Sequence, residues 1–236
     1  MQSHRIAELL QPFLSTPLAE SQLRYISTYI DILLRWNARM NLTAVRQPEE
    51  IVTRHFGESL FAARHLFPQP EVRDASGEPR PPKPSAAFEP TGDAHTTSII
   101  DVGSGAGFPG LPIKIYAPHT HLTLVESSQK KVTFLREVSR ALTLPDVNVF
   151  AGRSEDFPGA GDIVTLRAVE RFQDALPIAA RLVVPTGRLA LLIGRRQMSR
   201  ARDLAPTFHW ADPIPIPLSD ARILIIGQHP SHQASR

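Results

Sequence analysis

The chain of 236 residues contains no cysteine. This absence excludes a disulfide framework, thiolate zinc sites, iron–sulfur clusters and a cysteine nucleophile. It also fits a reducing compartment, and we expect a cytoplasmic protein. Long apolar runs are missing too, because stretches such as 189–193 are far shorter than the roughly 20 residues of a membrane-spanning helix. No signal peptide is expected, since Gln11 and Pro12 interrupt the first apolar cluster.

Two common motifs of metal and nucleotide sites are absent as well. The nine histidines form no HExxH or comparable cluster, so we expect no metal site. No GxxxxGK[ST] sequence occurs, which excludes a P-loop. The net charge of +3 permits a polyanionic partner without requiring one. What is present is a 42% hydrophobic composition, enough for a substantial core.

The first part of the chain, residues 1–67, is predicted to be a helical extension. Leu23, Ile26 and Ile30 recur at helical spacing within residues 17–40, and a second amphipathic helix follows Pro48. Residues 68–97 differ in kind, because seven of the 22 prolines lie there among glycines and charges. Such a composition predicts an insertion or flexible loop that buries little apolar surface.

Residues 98–236 alternate between short β-rich runs and helical patterns. Strands that are apolar on both faces, with helices between them, predict an α/β fold with a doubly wound, mostly parallel sheet. The runs lie at 98–102, 122–126, 147–150, 163–166, 189–193 and 223–226, and helical patterns occupy 130–142 and 172–184.

A glycine-rich turn follows the first of these strands. The segment 99–110 reads IIDVGSGAGFPG, in the strand-to-helix context that gives a glycine motif meaning. Gly103 and Gly105 allow a sharp turn and a close approach of the backbone to a ligand. Glu126 ends the next strand, 23 positions after Gly103, where a carboxylate can accept hydrogen bonds from ribose hydroxyls. Together these features indicate an adenosine cofactor.

The glycine pattern alone does not separate a nicotinamide dinucleotide from S-adenosylmethionine. Asp101 stands two residues before Gly103, at the carboxyl end of its strand. A carboxylate there is expected to repel a pyrophosphate and to suit the cationic methionine end of S-adenosylmethionine. We therefore predict S-adenosylmethionine, with a nicotinamide-dependent oxidoreductase as the alternative.

With these residues the sequence resembles the RsmG (GidB) family of bacterial methyltransferases, which modify guanine N7 in small-subunit (16S) ribosomal RNA. The resemblance covers residues 23–67 and 98–228, and the decapeptide 101–110 is its most specific part. Its other matches are Asn37, 41–43, Arg54, His55, Ser59, Leu60, Glu126, Ser127, Lys131, Phe134, Leu135, Arg153, Glu155, Arg167 and Ala168.

The resemblance implies a Rossmann-like class I fold, S-adenosylmethionine as cofactor, and small-subunit ribosomal RNA or the 30S particle as partner. Gly103 and Phe108 correspond to cofactor contacts of the glycine loop, and Ser154 and Glu155 fall where the family holds the adenine. Arg167 falls at the mouth shared by cofactor and substrate, and we assign it the catalytic role. The predicted cofactor residues are thus Asp101, Gly103, Gly105, Phe108, Glu126, Ser154, Glu155 and Arg167.

Three positions depart from the family pattern. Glu58 stands where aspartate is usual, Leu166 where serine is common, and Ile193 where a lysine often lies. The last change puts one RNA contact in doubt, and Arg195 and Arg196 are close enough in sequence to replace it.

The predicted RNA-binding residues are Arg54, His55, Arg195 and Arg196. Guanine N7 has a lone pair and no proton, so methylation there needs positioning rather than a general base. The missing acid–base pair therefore fits this chemistry. A third hypothesis is a non-catalytic ribosome- or RNA-binding protein on a methyltransferase-like fold.

Overall fold

The computed structural model describes residues 1–68, 96–168 and 171–229. The predicted proline-rich insertion lies almost wholly outside these ranges. The described chain forms an N-terminal group of helices that packs on one face of a mixed β-sheet.

The N-terminal group contains more helix than the sequence predicted. Helix α1 spans Ser3–Leu10 and helix α2 spans Glu20–Met40. A short helix α3, Pro48–Glu50, continues through a π-helical segment, Ile51–Gly57, into helix α4, Glu58–Leu66. Helix α1 was not predicted, because a helix of about two turns contains too few apolar residues to establish a helical periodicity.

The π-helical segment Ile51–Gly57 is a rare feature. In such a segment each N–H bonds to the carbonyl five residues earlier, which widens the helix and shifts the side chains that follow. Segments of this kind occur often at functional sites. Here it carries Arg54 and His55 and immediately precedes Glu58.

Among the described residues, eight strands form one sheet. They are β1 Ser98–Val102, β2 His121–Glu126, β3 Val147–Ala151, β4 Gly161–Arg167, β5 Val183–Gly194, β6 His209–Trp210, β7 Ile214–Pro215 and β8 Arg222–Gln228. Their order is β3-β2-β1-β4-β5-β8-β6, and β7 pairs with β8 outside this path. The first five are parallel to one another, whereas β8 runs antiparallel to β5, β6 and β7.

The strand order confirms the predicted Rossmann-like, doubly wound and mostly parallel sheet. The order reverses between β1 and β4, which creates the crevice where such sheets bind ligands. Antiparallel β8 distinguishes this sheet from the order 3-2-1-4-5-6 of the classical dinucleotide fold.

Helices cover both faces of the sheet. They are α5 Gly110–Tyr116, α6 Gln129–Ala141, α7 Phe172–Arg181 and α8 Met198–Leu204. The helix predicted at 172–184 ends earlier, because β5 already begins at Val183 and pairs there with Gly161. In the ranges described, no helix is long and apolar enough to span a membrane.

The N-terminal helices share a core with the sheet. Leu33 and Phe56 of the helical group belong to the same buried cluster as Leu111 of α5 and Leu124 of β2. A second cluster fills the opposite face, between the sheet and helices α7 and α8. The N-terminal group therefore packs against the glycine-rich turn that follows β1, whose residues Ala106 and Phe108 belong to the first cluster.

Candidate functional site

The glycine-rich turn leaves β1 at Val102 and folds back over the end of β2. Gly103, Gly105 and Gly107 have φ values of 67°, 58° and 85°, in the left-handed region that favours glycine. The amides of Gly103 and Ser104 both donate to the carbonyl oxygen of Val125, at 2.9 and 3.1 Å. Two backbone hydrogen bonds therefore attach the turn to β2.

A first cleft of ≈ 480 Å³ opens at the carboxyl ends of β1, β2 and β3. Four of the predicted cofactor residues line it, and their side chains or backbone come from three successive strand ends. They are Gly103, Glu126, Ser154 and Glu155. Arg153 and Arg171 also line this first cleft, with Asp174 of α7 on its far wall.

Glu126 forms the floor of the first cleft, and its side chain is almost buried. Its Oε2 accepts from the amide of Gly105 at 2.9 Å, and its Oε1 accepts from the amide of Ser128 at 2.8 Å. Each carboxylate oxygen keeps a second lone pair for a further donor. Glu126 is thus held rigidly, ready to accept from two neighbouring hydroxyl groups.

Four predicted cofactor residues do not line the first cleft: Arg167 lines a separate cleft, and Asp101, Gly105 and Phe108 support the glycine-rich turn. The backbone amide of Gly105 donates a hydrogen bond to Oε2 of Glu126 and so helps to hold that carboxylate. Asp101 is 1% exposed, and the side chain of Phe108 is also buried. The structure therefore does not support the predicted direct contact between Asp101 and the cofactor. A carboxylate buried in this way does not discriminate between S-adenosylmethionine and a pyrophosphate.

Asp101 holds the base of the turn. Its Oδ1 accepts from the Thr165 hydroxyl at 2.7 Å, and its Oδ2 accepts from the amide of Gly110 at 3.2 Å. Burial raises the pKa of Asp101 to about 6, although these hydrogen bonds act in the opposite direction. The carboxylate joins β1, β4 and the start of α5 at one point.

The raised pKa of Asp101 predicts how stability depends on pH. The folded protein retains this proton to a higher pH than the unfolded chain, so the free energy of unfolding falls as the pH rises from about 4 to 6. We expect Asp101→Asn, which cannot ionise, to gain stability relative to wild type across this window, by on the order of 3 kcal/mol. Urea unfolding of both proteins between pH 4 and 7 measures the difference. A difference that stays constant with pH contradicts the assignment.

Phe108 anchors the turn to the N-terminal helices. Its ring stacks on Tyr29 of α2, with centroids 5.3 Å apart, and on His55, with centroids 4.8 Å apart. Phe56 meets it edge-on at 5.1 Å, and the hydroxyl of Tyr29 donates to the carbonyl of Ala106. Phe108 can therefore reach a cofactor only through its backbone.

A second cleft, of ≈ 160 Å³, opens at the same edge of the sheet beside β4, β5 and β8. Glu58 is 2% exposed and lies between two arginines of this cleft. Its Oε2 is 3.0 Å from Arg167 Nη2, and its Oε1 is 2.7 Å from Arg222 Nη1. Burial raises the pKa of Glu58 and lowers that of Arg167, while their mutual attraction opposes both shifts.

His55 fixes Arg167 from the side of the N-terminal helices. Arg167 Nη2 lies 2.6 Å from the carbonyl of Arg54 and 3.3 Å from Nδ1 of His55. Because a guanidinium only donates, Nδ1 must accept, and the imidazole proton belongs on Nε2, 2.7 Å from Thr43 Oγ1. Burial, with Arg167 adding to it, lowers the pKa of His55 to about 3, so the ring is neutral.

The sequence motifs of the N-terminal helices meet in this network. Asn37 Oδ1 accepts from the amide of Thr43 at 3.0 Å, and Ser59 donates to the carbonyl of His55 at 2.6 Å. A chain of contacts therefore runs from Asn37 through Thr43 and His55 to Arg167. The ion-pair partner of Arg167 at the end of this chain is Glu58.

The predicted RNA-binding residues divide into two pairs. Both ring nitrogens of His55 have internal partners, which argues against the predicted RNA contact, and the Arg54 side chain forms an exposed ion pair with Glu50. Arg195 and Arg196 are exposed on a 3₁₀ turn, between Gly194 and Gln197 of the second cleft. This pair remains well placed to meet a polyanion.

The sequence did not predict a role for Arg222, and it indicated Glu58 only as a departure from the family pattern. Arg222 stands at the start of β8, opposite Gly194 of β5, and its neighbours in sequence form no motif. Only the antiparallel pairing of β8 with β5 brings Arg222 to the second cleft.

Ile193, at the position where the family often has lysine, also lines the second cleft. Across the described ranges there is no cluster of three or more metal-ligating side chains.

Comparison with known proteins agrees with the geometry. A family model for GidB, described as rRNA small subunit methyltransferase G, matches residues 22–75 and 85–210. A relative of this name from Exiguobacterium sp. strain AT1b is 37% identical over 172 residues, covering 69% of this chain and 62% of the relative. Another, from Aquifex aeolicus strain VF5, is 38% identical over 168 residues, covering 71% of this chain and 74% of the relative.

A third relative, from Bacillus subtilis strain 168, is 34% identical over 182 residues, covering 74% of this chain and 65% of that protein. For the Exiguobacterium and Bacillus proteins, the match therefore spans slightly less than two thirds of the relative. The family resemblance predicted from the sequence is confirmed. This chain belongs to the GidB family, described as rRNA small subunit methyltransferase G.

Proposed function

We propose that this chain transfers the methyl group of S-adenosylmethionine to N7 of a specific guanine in small-subunit (16S) ribosomal RNA, in the cytoplasm. The observation that carries the proposal is the pair of clefts at one edge of the sheet. One has a preorganised carboxylate for a ribose, and the other has two arginines around a buried carboxylate. The names of the family and its relatives support the same substrate class.

The first cleft fits an adenosine cofactor. Glu126 can accept from two hydroxyls of a ribose because both of its oxygens are fixed by backbone amides. Gly103 lines the cleft with φ of 67°, so its backbone can lie close to a ligand. Ser154 and Glu155 supply polar groups at the end of β3 for an adenine.

When bound, S-adenosylmethionine supplies a methyl carbon that bonds to the N7 lone pair as its bond to sulfur breaks, with sulfur keeping the electron pair. No proton leaves N7, so the protein needs no general base. The residues of the second cleft would therefore act by positioning the base. Arg167 holds Glu58, and Glu58 in turn holds Arg222 beside the cleft.

The second candidate, a nicotinamide-dependent oxidoreductase, has less support. The described residues form no separate substrate domain, and antiparallel β8 departs from the dinucleotide-binding strand order. The third candidate, a non-catalytic RNA-binding protein, leaves the buried Glu58–Arg167–Arg222 cluster unexplained. Keeping such a cluster buried costs desolvation energy, and a purely structural core does not require it.

Two measurements test the proposal. Calorimetric titration with S-adenosylmethionine and with NAD should show binding of the former alone. The protein is then incubated with S-adenosylmethionine and either deproteinised small-subunit RNA or 30S particles that lack the modification. Mass analysis of the nucleosides should find 7-methylguanosine at one position. NAD binding supports the oxidoreductase, and cofactor binding with no methyl transfer to either substrate supports the non-catalytic protein.

A further inference from the structure

The second cleft contains more positive charge than its buried carboxylate neutralises. Arg167 and Arg222 both face Glu58, and His55 beside them is neutral. The remaining walls include Leu166, Phe172 and Ile193, which are apolar. The cleft is thus a small apolar slot with arginine N–H donors at one side.

The two arginines differ in what they can still bind. The Arg167 side chain is 10% exposed, and its Nη2 already contacts Arg54, His55 and Glu58. The Arg222 side chain is 29% exposed. Its Nη1 meets Glu58 and its Nε donates to Ser219 Oγ at 3.3 Å, whereas Nη2 has no partner among the residues that the structure describes. Arg222 is therefore the more exposed of the two arginines, and its Nη2 has a donor to offer.

The dimensions of the second cleft suit one base. Its ≈ 160 Å³ is well below the roughly 300–1,000 Å³ of pockets that take drug-sized ligands. Exposed Arg195 and Arg196 stand beside it, where the phosphates of an extruded nucleotide would pass. Enzymes that act on a single base commonly take it out of the stack into a pocket of this kind.

Guanine and adenine differ in the exocyclic group at C6, which lies on the same edge of the base as N7. Guanine presents the O6 acceptor there, whereas adenine presents an N6 amino donor. Arginine has only donors, so it bonds to O6 and is repelled by N6. We infer that the second cleft holds the acceptor guanine and that Arg222 donates from Nη2 to its O6, which selects guanine over adenine and leaves N7 free. This inference rests on the proposed function.

The test couples a protein change to a substrate change. Once the target guanine is mapped, the RNA is assembled by ligation so that it carries 6-thioguanosine at that position. In this nucleoside a sulfur atom, which is a weaker acceptor, replaces O6, and the rest of the base is unchanged. We expect wild type to methylate the thio-substituted RNA about tenfold more slowly than normal RNA, within the range of one base contact. Arg222→Met should lower the rate on normal RNA by a similar factor and bring the ratio of the two rates close to one.

Two further variants make the outcome interpretable. Glu58→Gln/Arg222→Met removes both charges, so it tests the same ratio if the single variant unfolds with Glu58 left underpaired. Arg24→Met, on the exposed face of α2, should retain the wild-type ratio. Affinity for S-adenosylmethionine should be unchanged in Arg222→Met.

Three results would overturn the inference. If the ratio stays at its wild-type value in Arg222→Met and in the double variant, Arg222 does not contact O6. If cofactor affinity falls with the methylation rate, the cleft belongs to the cofactor. If wild type methylates no RNA while it still binds S-adenosylmethionine, the proposed function fails and this inference fails with it.

Discussion

Arg167→Ala is expected to lower the rate of methyl transfer by at least about 100-fold under saturating substrate and cofactor. The guanidinium holds Glu58, and through it Arg222, at the second cleft. Its loss would let both groups shift, and misplacing a reacting atom by about 1 Å costs a factor of this size. Single-turnover methylation of the mapped RNA measures the effect free of product release.

The same substitution is also expected to destabilise the fold. Glu58 would lose the more deeply buried of its two arginine partners, and removing one partner of a buried ion pair costs about 3–5 kcal/mol. Urea unfolding of Arg167→Ala should show this loss directly. Arg167→Ala is therefore expected to lower both stability and turnover, and a second variant must separate the two effects.

Glu58→Gln/Arg167→Met separates these effects because it removes the buried charge together with its partner. We expect the double variant to recover a large part of the lost stability and none of the lost turnover. Arg24→Ala serves as a control for loss of an exposed arginine, and should match wild type in both measurements. If turnover per folded molecule returns in the double variant, Arg167 acts only as a structural residue.

The sequence could predict the strands and the glycine turn because their signals are local. The runs at 98–102 and 122–126 became β1 and β2 within one residue, and the spacing from Gly103 to Glu126 placed both in the first cleft. Such features depend on residues that follow one another along a single β-α-β unit. No knowledge of distant pairing was needed.

The second cleft could not be predicted in the same way. Glu58 and Arg167 are 109 positions apart, and Arg222 reaches them only through the antiparallel register of β8. The family motif indicated that Arg54 and His55 have a role, but it did not indicate whether their side chains face the RNA or the interior of the protein. The π-helical segment turns His55 inward to Arg167 and Phe108, so a residue predicted to face RNA became internal.

The placement of Asp101 shows a similar limit. Its position two residues before Gly103 suggested a contact with the cofactor, because strand ends of such sheets face the ligand. Successive strand residues, however, point to opposite faces of the sheet. The register pairs Asp101 with Thr165 of β4, and Asp101 accepts a hydrogen bond from the Thr165 hydroxyl. The carboxylate consequently supports the turn from beneath.

Gly103→Val is expected to reduce the affinity for S-adenosylmethionine by at least about 100-fold, or nearly 3 kcal/mol. Gly103 is the first residue of the glycine-rich turn and lines the first cleft, so an added side chain competes with the ligand for space. Its φ of 67° adds a backbone penalty of roughly 1–2 kcal/mol for any L-residue and more for a β-branched one. Calorimetric titration gives the affinity, and circular dichroism with thermal unfolding shows how much of the fold survives.

Gly105 offers the matched comparison for the backbone penalty alone. It has φ of 58°, lies outside the lining of the first cleft, and an added Cβ would approach only the carbonyl of Gly103, at 3.8 Å. We expect Gly103→Ala and Gly105→Ala to lose similar stability, because both force alanine into the left-handed region. The affinity for S-adenosylmethionine should fall much further in Gly103→Ala, since only that side chain meets the ligand. Equal affinities in the two alanine variants, or an unchanged affinity in folded Gly103→Val, would mean that the cofactor does not lie against Gly103.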